Sequence, residues 1–545
     1  MLEFHLKITN KALLKNYNCQ HYTSANIISS LHLEKFQTQM KKISYFSLLF
    51  CIISNVIFAQ SIDDPFSQKK MRKDLEVFKK IRVTTNSGLY KYRTSQEIDS
   101  IYNWADNQID KSSTYRDFYN IILQLTDFEG SLHNDTSIPE KLNESLRTEK
   151  KGYFPYPIKW IDGKWIINFE KGKIPLGSEI ISINNEKIEN IVKNLYKYYT
   201  TDGINKTGKR IGLNYSFSKY YRLKYGITET FSVKYKENKS DETDEITVKS
   251  IDYKNYYANA KNRFSKPYDE VNYKDWNDNE IYSYKSIDKS TGILTINDFG
   301  MGNEEDQRHL KYVSFLDSIF TTIKQNEIKN LIVDVRYNGG GTDPNDLVTY
   351  SYLTDRNFSE NKQAWISFKK IPHLKYIESK VPSFLRFLGV GKFNKWFQKE
   401  FYIEKENRFY QGPLSEDHKV RTPNKQAFKG KIYLLISPRI ASAGSLFASM
   451  VAGNSNTTVI GEETMGGYYG HNGHTPFTYI LPKSKISTSF SIVNLEQYVP
   501  KKENQLYNRG IIPDFEVKQT FEDYLNQKDV QMNFVLDLIK KNSTE

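Results

Sequence analysis

The chain has 545 residues, 38% hydrophobic and 14% aromatic, enough for a sizeable core and more than one domain. A mean hydropathy of −0.63 excludes an integral membrane protein. The formal net charge is +13, yet the lysines are scattered among Tyr, Asn and acidic residues. No basic stripe follows one helix and no nucleic-acid motif is present, so this charge reads as a solvated surface.

Met40-Lys41-Lys42 opens a short basic region. Ile43 to Phe58 is an apolar run, and the small residue Ala59 precedes Gln60. This layout predicts a signal peptide over 40–59, too short for a membrane span, with residues 1–39 as an upstream extension. Both cysteines, Cys19 and Cys51, precede the expected cleavage point. The mature chain then has no disulfide, no thiol nucleophile and no integral membrane span. The expected location is periplasmic, outer-surface or secreted.

Residues 60–158 are predicted as a helical region. Lys70 to Ile81 is amphipathic, and Ile98, Ile101, Tyr102, Ala105 and Ile109 share one face. Thr94 with Glu97, and Thr114 with Asp117, have the spacing of capping boxes. The second of these helices runs into Gly130-Ser131-Leu132-His133, which by itself reads as a solvent-exposed loop.

Trp160 to Trp165 reads as a hairpin turning at Asp162-Gly163. Ile174 to Asn184, followed by a helix over Ile188 to Leu195, resembles the core of a PDZ-like domain, expected over 159–252. Such modules capture extended peptides at a sheet edge; a purely structural insert is the other reading. Residues 253–280 are predicted as a polar linker.

Gly292 to Phe299, Arg308 to Gln325 and Ile328 to Val335 form a strand–helix–strand pattern suited to a parallel crossover. The last strand runs into Asn338-Gly339-Gly340-Gly341, where a bare backbone can approach a ligand closely. Residues 357–430 form an irregular insert, and Pro382 to Phe401 mixes Phe and Trp with basic residues. That segment suits a lid, a partner surface, a membrane-surface helix or simple packing.

Lys431 to Gly470 holds a strand, a short turn, Ser442, a helical pattern through Leu446, Phe447, Met450 and Val451, and a second strand ending near Gly466-Gly467. A serine between strand and helix sits at the positive helix end, where freed N–H groups can hold an oxyanion. Equally, serine is a preferred N-cap. His471 and His474 follow in GHNGHTPF, but no Asp, Glu or Cys lies nearby at ligand spacing. Neither a metal nor another cofactor is expected, although either histidine suits the lining of a site.

Four motifs recur in order: Asp334 to Gly341, Ser442-Ala443, Gly461-Glu462-Glu463-Thr464 with Gly466, and Gly510 to Asp514. Together they resemble the C-terminal-processing (tail-specific) serine peptidases and the related tricorn core. The resemblance implies an α/β fold with a crotonase/ClpP-like ββα catalytic core, here over 280–525, plus the N-terminal helical region and the PDZ-like insert. It implies Ser442 as nucleophile and an oxyanion hole from the Ala443 N–H with that of Gly339 or Gly340. One family version pairs the serine with a lysine, whose place here is taken by glycine in Met465-Gly466-Gly467-Tyr468. The tricorn-like version implies His133 as general base and Ser131 as a supporting hydroxyl. Its acid maps near Tyr507, where Glu503 and Glu496 are the substitutes. The function implied is an exported endopeptidase acting on peptides or unfolded proteins. A catalytically inactive relative that binds extended peptides or small apolar ligands is the alternative, and a partner surface on the 357–430 insert a third reading.

Overall fold

The computed structural model describes residues 61–264, 281–379 and 386–544. The expected upstream extension, the signal peptide and most of the polar linker lie outside the described residues.

The catalytic half is built on a six-stranded sheet. Its strands, in spatial order, are Phe515–Glu516, Thr457–Gly461, Lys431–Ile436, Asn330–Asp334, Thr291–Ile296 and Tyr282–Ser286. Neighbours are parallel except the last pair. Helix Gln307–Gln325 connects two adjacent parallel strands, as the spacing predicted. Both sheet faces are covered, which explains the continuous apolar runs. Leu331, Val333, Leu434 and Val459 pack against Phe447, Val451 and Phe320. Ile332, Tyr433, Leu435 and Ile460 face Val535 and Ile539 of helix Val530–Thr544.

The N-terminal helices are Gln68–Thr85, Ser95–Ile109 and Tyr115–Phe128. Both predicted capping boxes form, each with its reciprocal side-chain and backbone bonds. Phe78, Phe118, Ile122 and Leu125 share one apolar core with Tyr479, Ile486, Phe490 and Ile492. The helical region therefore packs into the catalytic half rather than standing apart.

Residues 158–249 make an antiparallel sheet with its own core. The predicted hairpin pairs Trp160 with Trp165 and turns at Asp162 and Gly163, with φ of 52° and 75°. Helix Ile188–Leu195 has the predicted bounds. Helix Thr207–Tyr225 was not predicted: its buried residues lie on all sides, so no stripe is legible. Part of the expected linker is also helical, over Tyr253–Lys261.

Ile486 to Leu495 alternates in polarity as one strand would, but the structure has two here, Ser487–Ser491 and Asn494–Gln497, in different sheets. Asn494–Gln497 joins Asn361–Ile366, Arg408–Gln411 and Phe401–Lys405, so the 357–430 insert is folded onto the catalytic half. Ser487–Ser491 is the middle strand of three. Asp135–Ser137 and Pro476–Ile480 flank it, both antiparallel to it and therefore parallel to each other. His133 and His471 precede those two flanking strands. The register thus brings both histidines to the same end of this small sheet, from positions far apart in sequence.

Candidate active site

Strand Lys431–Ile436 ends one short turn before Ser442, and helix Ala443–Ala452 begins immediately after it. Ser442 has φ 53° and ψ −136°, a conformation that costs a non-glycine residue about 1–3 kcal/mol. Its side chain makes no capping bond. The hydroxyl is instead 3.3 Å from Nε2 of His133, across 309 residues of chain. The expectation of a simple N-cap is thereby corrected: the strained corner turns the hydroxyl toward an imidazole.

Two N–H groups beside the serine have no acceptor among the described residues, those of Ala443 and Gly339. Gly340 does not share this freedom. Its N–H donates to Asn338 Oδ1 at 2.9 Å, which corrects the expectation that either glycine could serve. Gly340 has another duty. With φ +117°, a Cβ there would lie 2.7 Å from Ser442 Cβ.

The loop carrying His133 is held by buried polar groups. Glu129, nearly inaccessible, accepts from Asn134 Nδ2 at 2.7 Å and Asn86 Nδ2 at 3.1 Å, and pairs with Arg82. Thr200 Oγ1 donates to the carbonyls flanking His133, those of Leu132 and Asn134. Asp202 accepts from the Leu132 N–H and the Gly467 N–H, both at 2.9 Å. One buried carboxylate therefore ties the histidine loop to the glycine loop behind the serine. Apart from the contact between Asn134 and Glu129, five residues apart, these supports join segments distant in the chain and have no local sequence signal.

The other expected site residues lie elsewhere or are idle. Glu496 pairs with Lys362 at 2.8 Å and accepts from Gln363, and Glu503 is exposed. Ser131 is buried, and its hydroxyl has no hydrogen-bond partner among the described residues. His474 turns to Asp417 at 3.6 Å. Among the described residues no group of His, Cys, Asp or Glu is placed to hold a metal ion.

Residues 290–517 match the family model described as peptidase family S41. That stretch, in the catalytic half of the chain, is similar to the peptidases of that family. A mutant of CPAF is similar in structure, with a TM-score of 0.54 and 14% identity over 84% of this chain and 95% of that one. Mature CPAF complexed with lactacystin gives 0.51 and 14% over 87% and 99%, and mature CPAF 0.50 and 14% over 87% and 97%. At such identity the likeness establishes a shared fold. No curated protein sequence matches the chain.

The four sequence motifs are mainly scaffolding for the serine corner. Arg336 is clamped between Asp334 and Asp529, at 2.7 Å from each. Asn338 pins the Gly340 N–H. Glu463, buried, accepts from Nε and Nη2 of Arg509 and from the Gly510 N–H, while Thr464 Oγ1 accepts from the Ile511 N–H. The last two motifs are therefore one bonded unit that sets the Gly466-Gly467 loop.

Burial pushes Asp202 up to about 6 from an ordinary 3.8, against the two N–H donors and Lys91. Between those values the folded protein keeps a proton that the unfolded chain releases. Stability from this group is thus full below pH 3.8 and is lost as pH rises through 6. Asp202→Asn should remove that slope in thermal melts between pH 4 and 7. It should also leave one of the two N–H groups facing an amide NH2, at about 1–3 kcal/mol, and lower peptidase activity. An unchanged slope would show that Asp202 is not titrating in this window.

Proposed function

We propose that the protein is an exported serine endopeptidase in which Ser442 is the nucleophile and His133 the general base. The 3.3 Å approach of the two side chains carries this reading. His133 Nε2 takes the Ser442 proton as Oγ attacks the scissile carbonyl. The developing oxyanion is received by the Ala443 and Gly339 N–H groups at the positive end of the serine helix. The imidazolium then protonates the leaving amine, and the acyl-enzyme is released by water on the same base.

The substrates are peptides or unfolded proteins, taken as extended chains. Strand Asp244–Lys249 is largely exposed at one edge of the 158–249 sheet and supplies unpaired backbone for an added strand. Export follows from the leader-like stretch over 40–59, and among the described residues no helix is long and apolar enough to cross a membrane.

A fluorophosphonate probe tests the site directly. Intact-mass and peptide analysis should find one adduct, on Ser442, formed more slowly as pH falls and His133 is protonated. A folded protein with no adduct at Ser442 would favour the inactive, peptide-binding alternative.

A further inference from the structure

His471 is 5% exposed, and its ring nitrogens make no well-aligned hydrogen bond among the described residues, the nearest polar group acting on them being the Ser442 backbone. Its ring lies on that of His133, with centroids 4.5 Å apart and planes inclined by 35°. Gly473 closes the same space. A Cβ there would fall 2.4 Å from His471 Cε1 and 2.8 Å from His133 Cε1, so both rings rest against bare backbone.

The loop that presents His471 is clamped. Lys91 Nζ donates to the carbonyls of Gly470 at 3.0 Å and Leu495 at 2.5 Å, and to Asn472 Oδ1 at 3.4 Å. Tyr92 donates to the Gly470 carbonyl as well. Asn472 occupies the space left by Gly88, whose Cβ would collide with its amide. A histidine held this firmly has two neighbours to act on, the ring of His133 and the backbone of Ser442.

We propose that His471 is a positioning residue for the base, its imidazole packing on the ring face of His133 and holding that ring toward the Ser442 hydroxyl. This rests on the reading of Ser442 and His133 as nucleophile and base. The support works through ring contact and excludes water from one side of His133. Burial drives His471 well below the ordinary histidine range, and the charges of His133 and Lys91 push the same way, against a smaller opposing effect of the Ser442 backbone. His471 is therefore neutral when His133 takes up the serine proton. The imidazolium then meets a π face and not a second cation, which favours its formation.

The test compares His471→Phe, His471→Leu and His471→Ala in the full protein, by peptide hydrolysis and fluorophosphonate labelling across pH. Phe keeps the ring face and should hold kcat/KM within about threefold, with the acid limb of the pH profile in place. Leu keeps volume without a ring, and Ala keeps neither. Both should lower kcat by about 30-fold with KM little changed, and both should shift the acid limb. Thermal melts identify any variant that fails to fold, and the Leu variant covers that outcome for Ala. Wild-type rates in the Leu and Ala variants overturn the proposal, as does a Phe variant as impaired as Ala. An unlabelled wild type instead removes the parent reading, so the two failures are distinguishable.

Discussion

Ser442→Ala should abolish peptide hydrolysis, lowering kcat/KM by about 100,000-fold while the fold survives. The side chain makes no capping bond, so its loss removes a hydroxyl without unpinning helix Ala443–Ala452. Alanine at φ 53° meets the same backbone strain as serine, so stability should change by less than about 1 kcal/mol. His133→Ala should cost activity on a similar scale, because the hydroxyl then loses its proton acceptor. The double variant should be no worse than the poorer single one, since the pair acts as a unit. Multiplying penalties in the double variant would mean independent roles and would contradict the shared proton. Substrate affinity should persist in Ser442→Ala, because the sheet edge proposed to hold the peptide belongs to a different part of the molecule.

Much of this arrangement was legible because local physics wrote it. The capping boxes at Thr94 and Thr114, the turn at Asp162-Gly163 and the strand that feeds Ser442 follow from residue types within a few positions. The catalytic sheet announced itself through runs such as Leu331-Ile332-Val333, which only a sheet covered on both faces requires. What stayed hidden is contact at a distance. Asp202 reaches Leu132 and Gly467 from a segment with no motif, and Lys91 fastens a loop almost 400 residues later. The pairing of His133 with His471 is set by strand register in a small sheet, not by spacing. Glu496 and Glu503 were reasonable acids by sequence order, but order does not say which way a side chain faces. Helix Thr207–Tyr225 escaped because it is buried around its circumference and carries no stripe.

Gly340→Ala should be the most damaging change that touches no reacting atom. Two costs fall on the same residue: a left-handed φ of +117°, and a Cβ 2.7 Å from that of Ser442 and 3.2 Å from the Ala443 nitrogen. The strain alone amounts to about 1–3 kcal/mol. Relief of the clash must move either the glycine loop or the serine corner, and both carry the geometry of the reaction. Activity should fall by about 1,000-fold, and denaturant melts should show a stability loss of about 2–4 kcal/mol. The adjacent glycines separate the two effects. Gly339 has nothing within 4 Å of a Cβ, so Gly339→Ala should leave stability nearly unchanged. Gly341 has φ +150° and a Cβ 2.2 Å from the Phe299 carbonyl carbon, so Gly341→Ala should destabilise through a contact away from the serine. If all three variants lost activity in proportion to stability alone, the close approach of Gly340 to Ser442 would be a matter of folding. A Gly340→Ala defect well beyond its stability loss would instead mark the bare backbone at this position as part of what aims the hydroxyl.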